Sequence, residues 1–268
     1  MRYETWGLKA MNSPNYSSNG KKLPQIWMNG GGVQSAAIAA LIVKGKLPKP
    51  DYALIVDTER EQSTTWKYLD NVIQPALLGV GLKVTRVKKS DFATVDVWGG
   101  KDKDTLLLPA FTNINGNVGK LSTFCSNEWK KRVGERWQRN MGIKKSVVWL
   151  GISCDEKKRA RPADDIRYPL IELALNRGDC VKLVYDMGWP SAPRSSCYMC
   201  PNHTAAEWRD IRDNKPQDWA KAISFERSIR DIDKNAFLHH DCVPLEDADL
   251  DEINGVLFGH CDTGMCFV

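Results

Sequence analysis

Three short stretches of the chain carry residue types that could do chemistry. The first is Gly30-Gly31-Gly32-Val33-Gln34-Ser35. Its glycines let the backbone turn sharply and approach a ligand without a Cβ in the way. A helix after such a loop presents free N–H groups and a positive dipole end to an anion. The string has neither the Gly-Lys-Ser/Thr of a Walker-type phosphate loop nor the Gly-x-Gly-x-x-Gly spacing of the dinucleotide fingerprint. A plain strand-to-helix turn without a ligand is the alternative. The second stretch is Cys154-Asp155-Glu156-Lys157-Lys158-Arg159-Ala160-Arg161. The guanidinium groups of Arg159 and Arg161 can fork onto two oxygens of a phosphate or sulfate. Asp155 and Glu156 could hold Mg²⁺ beside a triphosphate, or the whole stretch is a solvated charged loop. The third is Cys197-Tyr198-Met199-Cys200, where two thiolates can bind one metal from a single tight turn. A tetrahedral site needs two more ligands. Cys125 precedes a helical stretch, Cys180 lies shortly upstream of the pair, and His203 is a substitute ligand. A buried, redox-silent pair is the alternative.

The elements that must position these residues alternate. Gln25-Ile26-Trp27-Met28 reads as a strand leading into the glycines, and residues 35–43 read as a buried helix stopped by Gly45. Tyr52-Ala53-Leu54-Ile55-Val56 is a continuous apolar run, the mark of a central parallel strand. Asp57 at its end could accept from ribose hydroxyls or an adenine amine, or cap the following helix. Residues 62–78 are helical in period, residues 82–87 alternate as a third strand, and residues 146–150 form a fourth. Strands alternating with helices predict an α/β fold, a doubly wound parallel sheet with right-handed crossovers. Residues 90–122 are rich in Gly, Asp and Asn and read as an insertion or mobile loop. Beyond Gly151 helices replace strands, notably at 205–213 and 216–229. This divides the chain into a loose arm at 1–22, a nucleotide-binding α/β domain at 23–168, and a helical, cysteine-containing region at 169–268. Neither an internal repeat nor a low-complexity segment is present.

Composition limits the rest. The chain has 268 residues, 42% hydrophobic and 26% charged, an ordinary mixture able to bury a core. The longest apolar run, residues 36–43, is far too short to span a bilayer, and residues 1–14 lack the apolar stretch of a secretory signal. A cytoplasmic protein with no membrane partner is expected. In a reducing compartment, clustered cysteines mean metal or redox chemistry more often than disulfides. The formal charge of +5 permits a polyanionic partner without demanding one.

The glycine string resembles the PP-loop of the adenine-nucleotide α-hydrolase superfamily, whose usual form is Ser-Gly-Gly-x-Asp-Ser. Gly30 stands for the first serine here and Gln34 for the aspartate. The glutamine is similar to the phosphoadenosine-phosphosulfate (PAPS) reductase branch, and the string resembles its phage-type members. Val56-Asp57-Thr58-Glu59 and Thr64-Thr65 match the family's second strand end and next helix. Gly151-Ile152-Ser153-Cys154-Asp155-Glu156 followed by Arg159 resembles its Gly-x-Arg-x-(Asp/Glu) segment, with Ser153 in place of the arginine. The resemblance covers roughly the first 160 residues.

That likeness implies an enzyme of the PAPS reductase or ATP-pyrophosphatase type, acting at the α-phosphate side of ATP or of a sulfonucleotide (PAPS or APS). Sulfur transfer, or modification of a nucleotide or nucleic acid, is the expected role. The nucleotide residues it implies are Gly30, Gly31, Gly32, Gln34, Ser35, Asp57, Asp155, Glu156, Arg159 and Arg161, with Lys130 reaching the phosphates. It also implies Cys125, Cys180, Cys197 and Cys200 as ligands of a [4Fe–4S] cluster or of Zn²⁺. PAPS reductases carry a reactive cysteine on a C-terminal tail, the place of Cys261 and Cys266 here, with His260 adjacent. Two other readings remain. One is a nucleotide- or nucleic-acid-binding module without catalysis, its cysteines a structural metal knot. The other is a zinc-containing, ATP-dependent ligase resembling the 7-cyano-7-deazaguanine synthases. Lys130, Lys131, Arg132, Arg136 and Arg139, interleaved with Trp129 and Trp137, suit nucleic acid, although such a face is commonly solvated with its tryptophans in the core. A homo-oligomer is the expected assembly. Cys154 and Cys242 read as ordinary buried cysteines.

Overall fold

A computed structural model describes residues 22–100, 104–161 and 163–251. Five parallel strands form the central sheet: β1 (Gln25–Met28), β2 (Tyr52–Asp57), β3 (Val84–Lys88), β8 (Val147–Leu150) and β9 (Ile166–Arg167). Their order is β3-β2-β1-β8-β9. The third strand starts two residues later than its alternation predicts, because the Leu82 N–H closes a turn onto the Leu77 carbonyl at 2.9 Å. The order reverses between β1 and β8, which is where ligands settle in open parallel sheets.

Side-chain alternation divides each strand between two cores. Trp27, Ala53, Ile55 and Trp149 face one side, packed under α1 (Val33–Val43) and α6 (Arg177–Tyr185). The same side takes the long helix of α2 (Ser63–Tyr68) and α3 (Gln74–Leu78), continuous through a wide turn at Leu69–Ile73. Ile26, Met28, Leu54 and Val56 face the other side, under α4 (Arg132–Asn140). Gly134 brings α4 close: a Cβ there would stand 2.8 Å from Met28 Cε. Each buried aliphatic side chain contributes about 1.5–3 kcal/mol, so two covered faces hold even strands of four residues. This is the doubly wound α/β fold that the alternation predicts.

Residues 90–122 differ from their reading as a mobile loop. They form two ribbons, β4 (Trp98–Gly99) with β5 (Thr105–Leu106), and β6 (Phe111–Ile114) with β7 (Asn117–Lys120). Leu106, Leu108 and Ala110 are buried in a third core with Trp208, Phe225 and Leu245. That core is built by α7 (Ala205–Asn214) and α8 (Pro216–Arg230), and β10 (Ala236–Phe237) adds an edge strand to β6. The C-terminal part is therefore helical with one short strand, β10, that its sequence did not announce, and β9 is an unannounced fifth strand of the central sheet. A short helix, α5 (Pro169–Glu172), links β9 to α6. Among the described residues, no helix is long and apolar enough to cross a membrane.

Candidate nucleotide site

Residues 30–32 connect β1 to α1 at the switch point. Gly31 has φ +79°, and a Cβ on it would stand 2.7 Å from Thr65 Cγ2, so only glycine fits without displacement. The loop is held from both ends. Gly31 N–H donates to Asn29 Oδ1 at 2.7 Å, and Gly30 N–H donates to Ser35 Oγ at 2.8 Å. Ser195 Oγ donates to the Gly30 carbonyl from 165 residues away. The first turn of α1 carries no acidic residue and no side-chain cap. Its N–H groups and dipole end are left for an anion.

The loop after β8 lies against this helix start. Gly151 faces Gln34 and Ser35. Gln34 is buried and donates through Nε2 to Glu156 Oε2 at 3.0 Å. Arg159 Nη1 donates to Glu156 Oε1 at 2.7 Å, and Arg177 Nη1 reaches Gln34 Oε1 at 3.4 Å. Glu156 thus has both oxygens engaged and ties two loops together, which is a different task from holding Mg²⁺. Asp155 accepts from the Arg177 N–H at 2.9 Å, at the start of α6. Arg161 is exposed, its backbone clasped by the Tyr168 hydroxyl. Ser153 is fully buried, and its hydroxyl has no partner.

Asp57 does not cap the helix after it. Its carboxylate accepts from the Glu59 N–H at 2.7 Å, while Ser63 at the helix start is bound by Asp218. Burial pushes the Asp57 carboxyl above its ordinary value, against the pull of the Glu59 N–H and of Arg86.

A small cleft opens between the glycine loop, the segment after β2 and Lys130. Met28, Ile55 and Val56 line its apolar wall, and Asn29, Gly30, Glu61 and Lys130 line its polar wall. Lys130 Nζ pairs with Glu61 Oε1 at 2.9 Å, and the Glu61 side chain is only 3% exposed. The other Glu61 oxygen is buried without a hydrogen bond. Lys130 therefore reaches the cleft of the glycine loop from the wide turn at Asn127–Lys131.

No protein-family model matches the chain, and no curated protein matches it. Two solved structures with a likeness to it are NMN synthetase from Francisella tularensis and the U34-tRNA thiolase NcsA from Methanococcus maripaludis with its [4Fe-4S] cluster. The first has 15% identity and a TM-score of 0.36, over 71% of this chain and 72% of that one. The second has 11% identity and a TM-score of 0.43, over 85% and 79%.

The cysteines divide between two places. Cys180 is fully buried in the core beneath α1, beside Asp155, Arg177 and Cys154, and burial pushes its thiol up to about 12. Cys125 and Cys197 pack against the third core, and the Cys200 N–H closes the turn onto the Cys197 carbonyl at 3.1 Å. The set of four is thus not brought together. Cys197 Sγ lies 3.4 Å from Thr58 Oγ1. Burial foremost, then the Glu61 carboxylate, holds its thiol well above the ordinary value against the pull of Lys130. Backbone bonds stitch this turn to the cleft: Gln62 N–H to the Ser196 carbonyl at 3.1 Å, and Tyr198 N–H to the Arg60 carbonyl at 2.8 Å. Behind it, the neutral His203 ring lies 2.9 Å from Ser196 Oγ. Burial lowers His203 to about 3, helped by Arg194 and Lys215.

Trp129 and Trp137 are core residues, not a platform for bases. Arg132 pairs with Glu128 and Lys130 with Glu61. His260, Cys261 and Cys266 lie outside the described residues. Sequence reasoning missed Glu61, Arg177 and Ser195. The capping box of Asn176 and Asp179 was a signal that could have located α6 and Arg177 at its start. Glu61 and Ser195 carry no comparable local signal.

Proposed function

We propose that the chain is an enzyme that seats an adenine nucleotide on residues 30–35 and acts at its α-phosphate, in the manner of the PP-loop ATP pyrophosphatases its motifs resemble. The observation that carries this is the Gln34–Glu156 hydrogen bond. It joins the helix start after β1 to the loop after β8 at the point where the strand order reverses. Phosphates then meet the N–H groups of α1, with Arg159 and Lys130 as the neutralising charges. An acceptor nucleophile attacks the α-phosphorus, the α–β bond breaks, and pyrophosphate leaves with that electron pair.

Sulfur transfer, or modification of a nucleotide or nucleic acid, is the role we favour, because the CxxC turn is bound to residues 58–62, among which Glu61 lines the cleft. The metal reading narrows to Cys125, Cys197 and Cys200, with Cys180 as a core thiol. Ligand sulfurs on one tetrahedral Zn²⁺ stand about 3.8 Å apart, given Zn–S bonds near 2.3 Å. Among the described residues, no three cysteine sulfurs lie within 4.8 Å of one another, so the donor set does not fit a zinc cage as it stands. Three thiolates are the donor set of an iron–sulfur cluster with one iron left open, which would supply redox or sulfur-carrying capacity. Binding must first release the raised proton of Cys197.

The test is ATP–pyrophosphate exchange on protein purified without oxygen, with candidate acceptors added. Exchange that requires Gln34 supports the reading. ATP binding without exchange or pyrophosphate release points to the catalytically inactive module, and absence of ATP binding overturns both.

A further inference from the structure

A second cluster of ligating groups lies apart from the cleft residues. After β10 the chain turns tightly, the Cys242 N–H donating to the His239 carbonyl at 3.2 Å. The turn brings three consecutive side chains together. His239 Nδ1 lies 3.2 Å from Asp241 Oδ2, and His240 Nε2 lies 3.4 Å from Asp241 Oδ1. One ligand atom from each of the three residues falls within 4.8 Å of the others, and among the described residues no other such group occurs.

Two features set this apart from an ordinary surface ion pair. First, His239 is 1% exposed, and its Nε2 is buried without a hydrogen bond. Its Nδ1 faces both the Asp241 carboxylate and the Asp241 N–H, the latter at 3.4 Å. One nitrogen cannot donate to the first and accept from the second, so neither neutral tautomer satisfies the ring. Second, each imidazole stands at a coordination-shell spacing from the carboxylate, 3.2 Å and 3.4 Å, one to each Asp241 oxygen. Ligand atoms held 2.0–2.1 Å from a tetrahedral ion stand about 3.4 Å apart. His240 and Asp241 are partly open to solvent, their side chains 23% and 40% exposed, so an ion has a way in. His240 is also braced, edge-on to Phe111 with ring centroids 6.3 Å apart.

We propose that His239, His240 and Asp241 form a site for a divalent transition-metal ion of the zinc class, bound from the turn after β10 with its remaining position open to water. Two imidazoles and a carboxylate select such an ion over Mg²⁺ or Ca²⁺, which favour all-oxygen shells. Ligation through Nδ1 would replace the two conflicting contacts at that nitrogen with one metal bond. The ion would fix the turn that joins β10 to the segment ending at Leu250.

The experiment is Zn²⁺ titration of the full chain against a chromophoric chelator. It compares wild type with His240→Ala, Asp241→Asn and the double change Cys197→Ser with Cys200→Ser. The site predicts one equivalent that weakens at least tenfold in His240→Ala and in Asp241→Asn and persists in the cysteine variant. An equivalent that persists in His240→Ala and vanishes in the cysteine variant assigns the ion to the thiols and overturns the proposal. A second readout needs no variant: Co²⁺ added to wild type should shift the ring-proton signals of two of the four histidines. Unshifted histidine signals at saturating Co²⁺ would overturn it equally.

Discussion

The glycine loop borders the cleft, the cysteine turn is bound to the segment that carries Glu61 behind it, and the two are built in opposite ways. The loop is open backbone. It has a positive-φ glycine, hydrogen bonds from the Gly30 and Gly31 N–H groups that hold its shape, and an acid-free helix start whose first-turn N–H groups carry no side-chain cap. The cysteine turn is closed. It is stitched to residues 60–62 by backbone bonds, its Cys197 thiol is buried and protonated, and a neutral histidine lies behind it. An anion needs donors already in place, whereas a metal must displace protons before it binds. One wall is ready for its ligand as folded, and the other has to be charged first.

Breaking the Lys130–Glu61 pair beside the cleft should cost most. Lys130→Ala leaves the buried Glu61 carboxylate without its partner. A loss of about 3 kcal/mol is expected in denaturant unfolding. Replacing both partners with Glu61→Gln and Lys130→Met should cost clearly less. Equal losses would mean that the stranded Glu61 charge is not the source of the cost. The closed wall should also be the acid-sensitive one. His203 has its affinity for a proton lowered to about 3, against about 6.5 in an unfolded chain. The unfolded state therefore binds the extra proton between these values. The stability due to His203 is complete above pH 6.5 and falls toward pH 3, at up to about 1.4 kcal/mol per pH unit. His203→Gln should flatten that part of the curve, and an unchanged slope would refute the assignment.

On the open wall, Gly31→Ala combines a left-handed φ with a 2.7 Å approach to Thr65. We expect a loss of about 2 kcal/mol and at least a tenfold loss of ATP affinity by calorimetry. Wild-type affinity in this variant would remove the loop from the site. Arg177→Ala should be mildest, because its contact with Gln34 is long at 3.4 Å. A change in ATP affinity of no more than a few fold is expected there. A larger loss would place Arg177 on the phosphates themselves.

The same contrast explains what could be read from the sequence. β1, β2 and α1 are continuous apolar runs because both faces of the sheet are covered, so Trp27, Leu54 and Ile38 announced the strands and the helix between them. The glycine loop follows from its position between them. The ribbons at 98–120 did not announce themselves. Their strands are two to four residues long, too short for alternation to register, and their leucines enter a core completed more than 80 residues later. Glu61 and Ser195 gain their roles from contacts with Lys130 and Gly30, which no local pattern encodes. Cys180 looked like a ligand by family spacing. Its place on the inner face of α6 makes it a core residue instead.

The most direct test of the central claim is amide hydrogen exchange with and without a non-hydrolysable ATP analogue. Protection confined to residues 30–36 and 151–159, with none at 236–242, is the predicted result. Unchanged exchange at both loops under saturating analogue, or protection elsewhere only, would contradict a nucleotide site at the switch point.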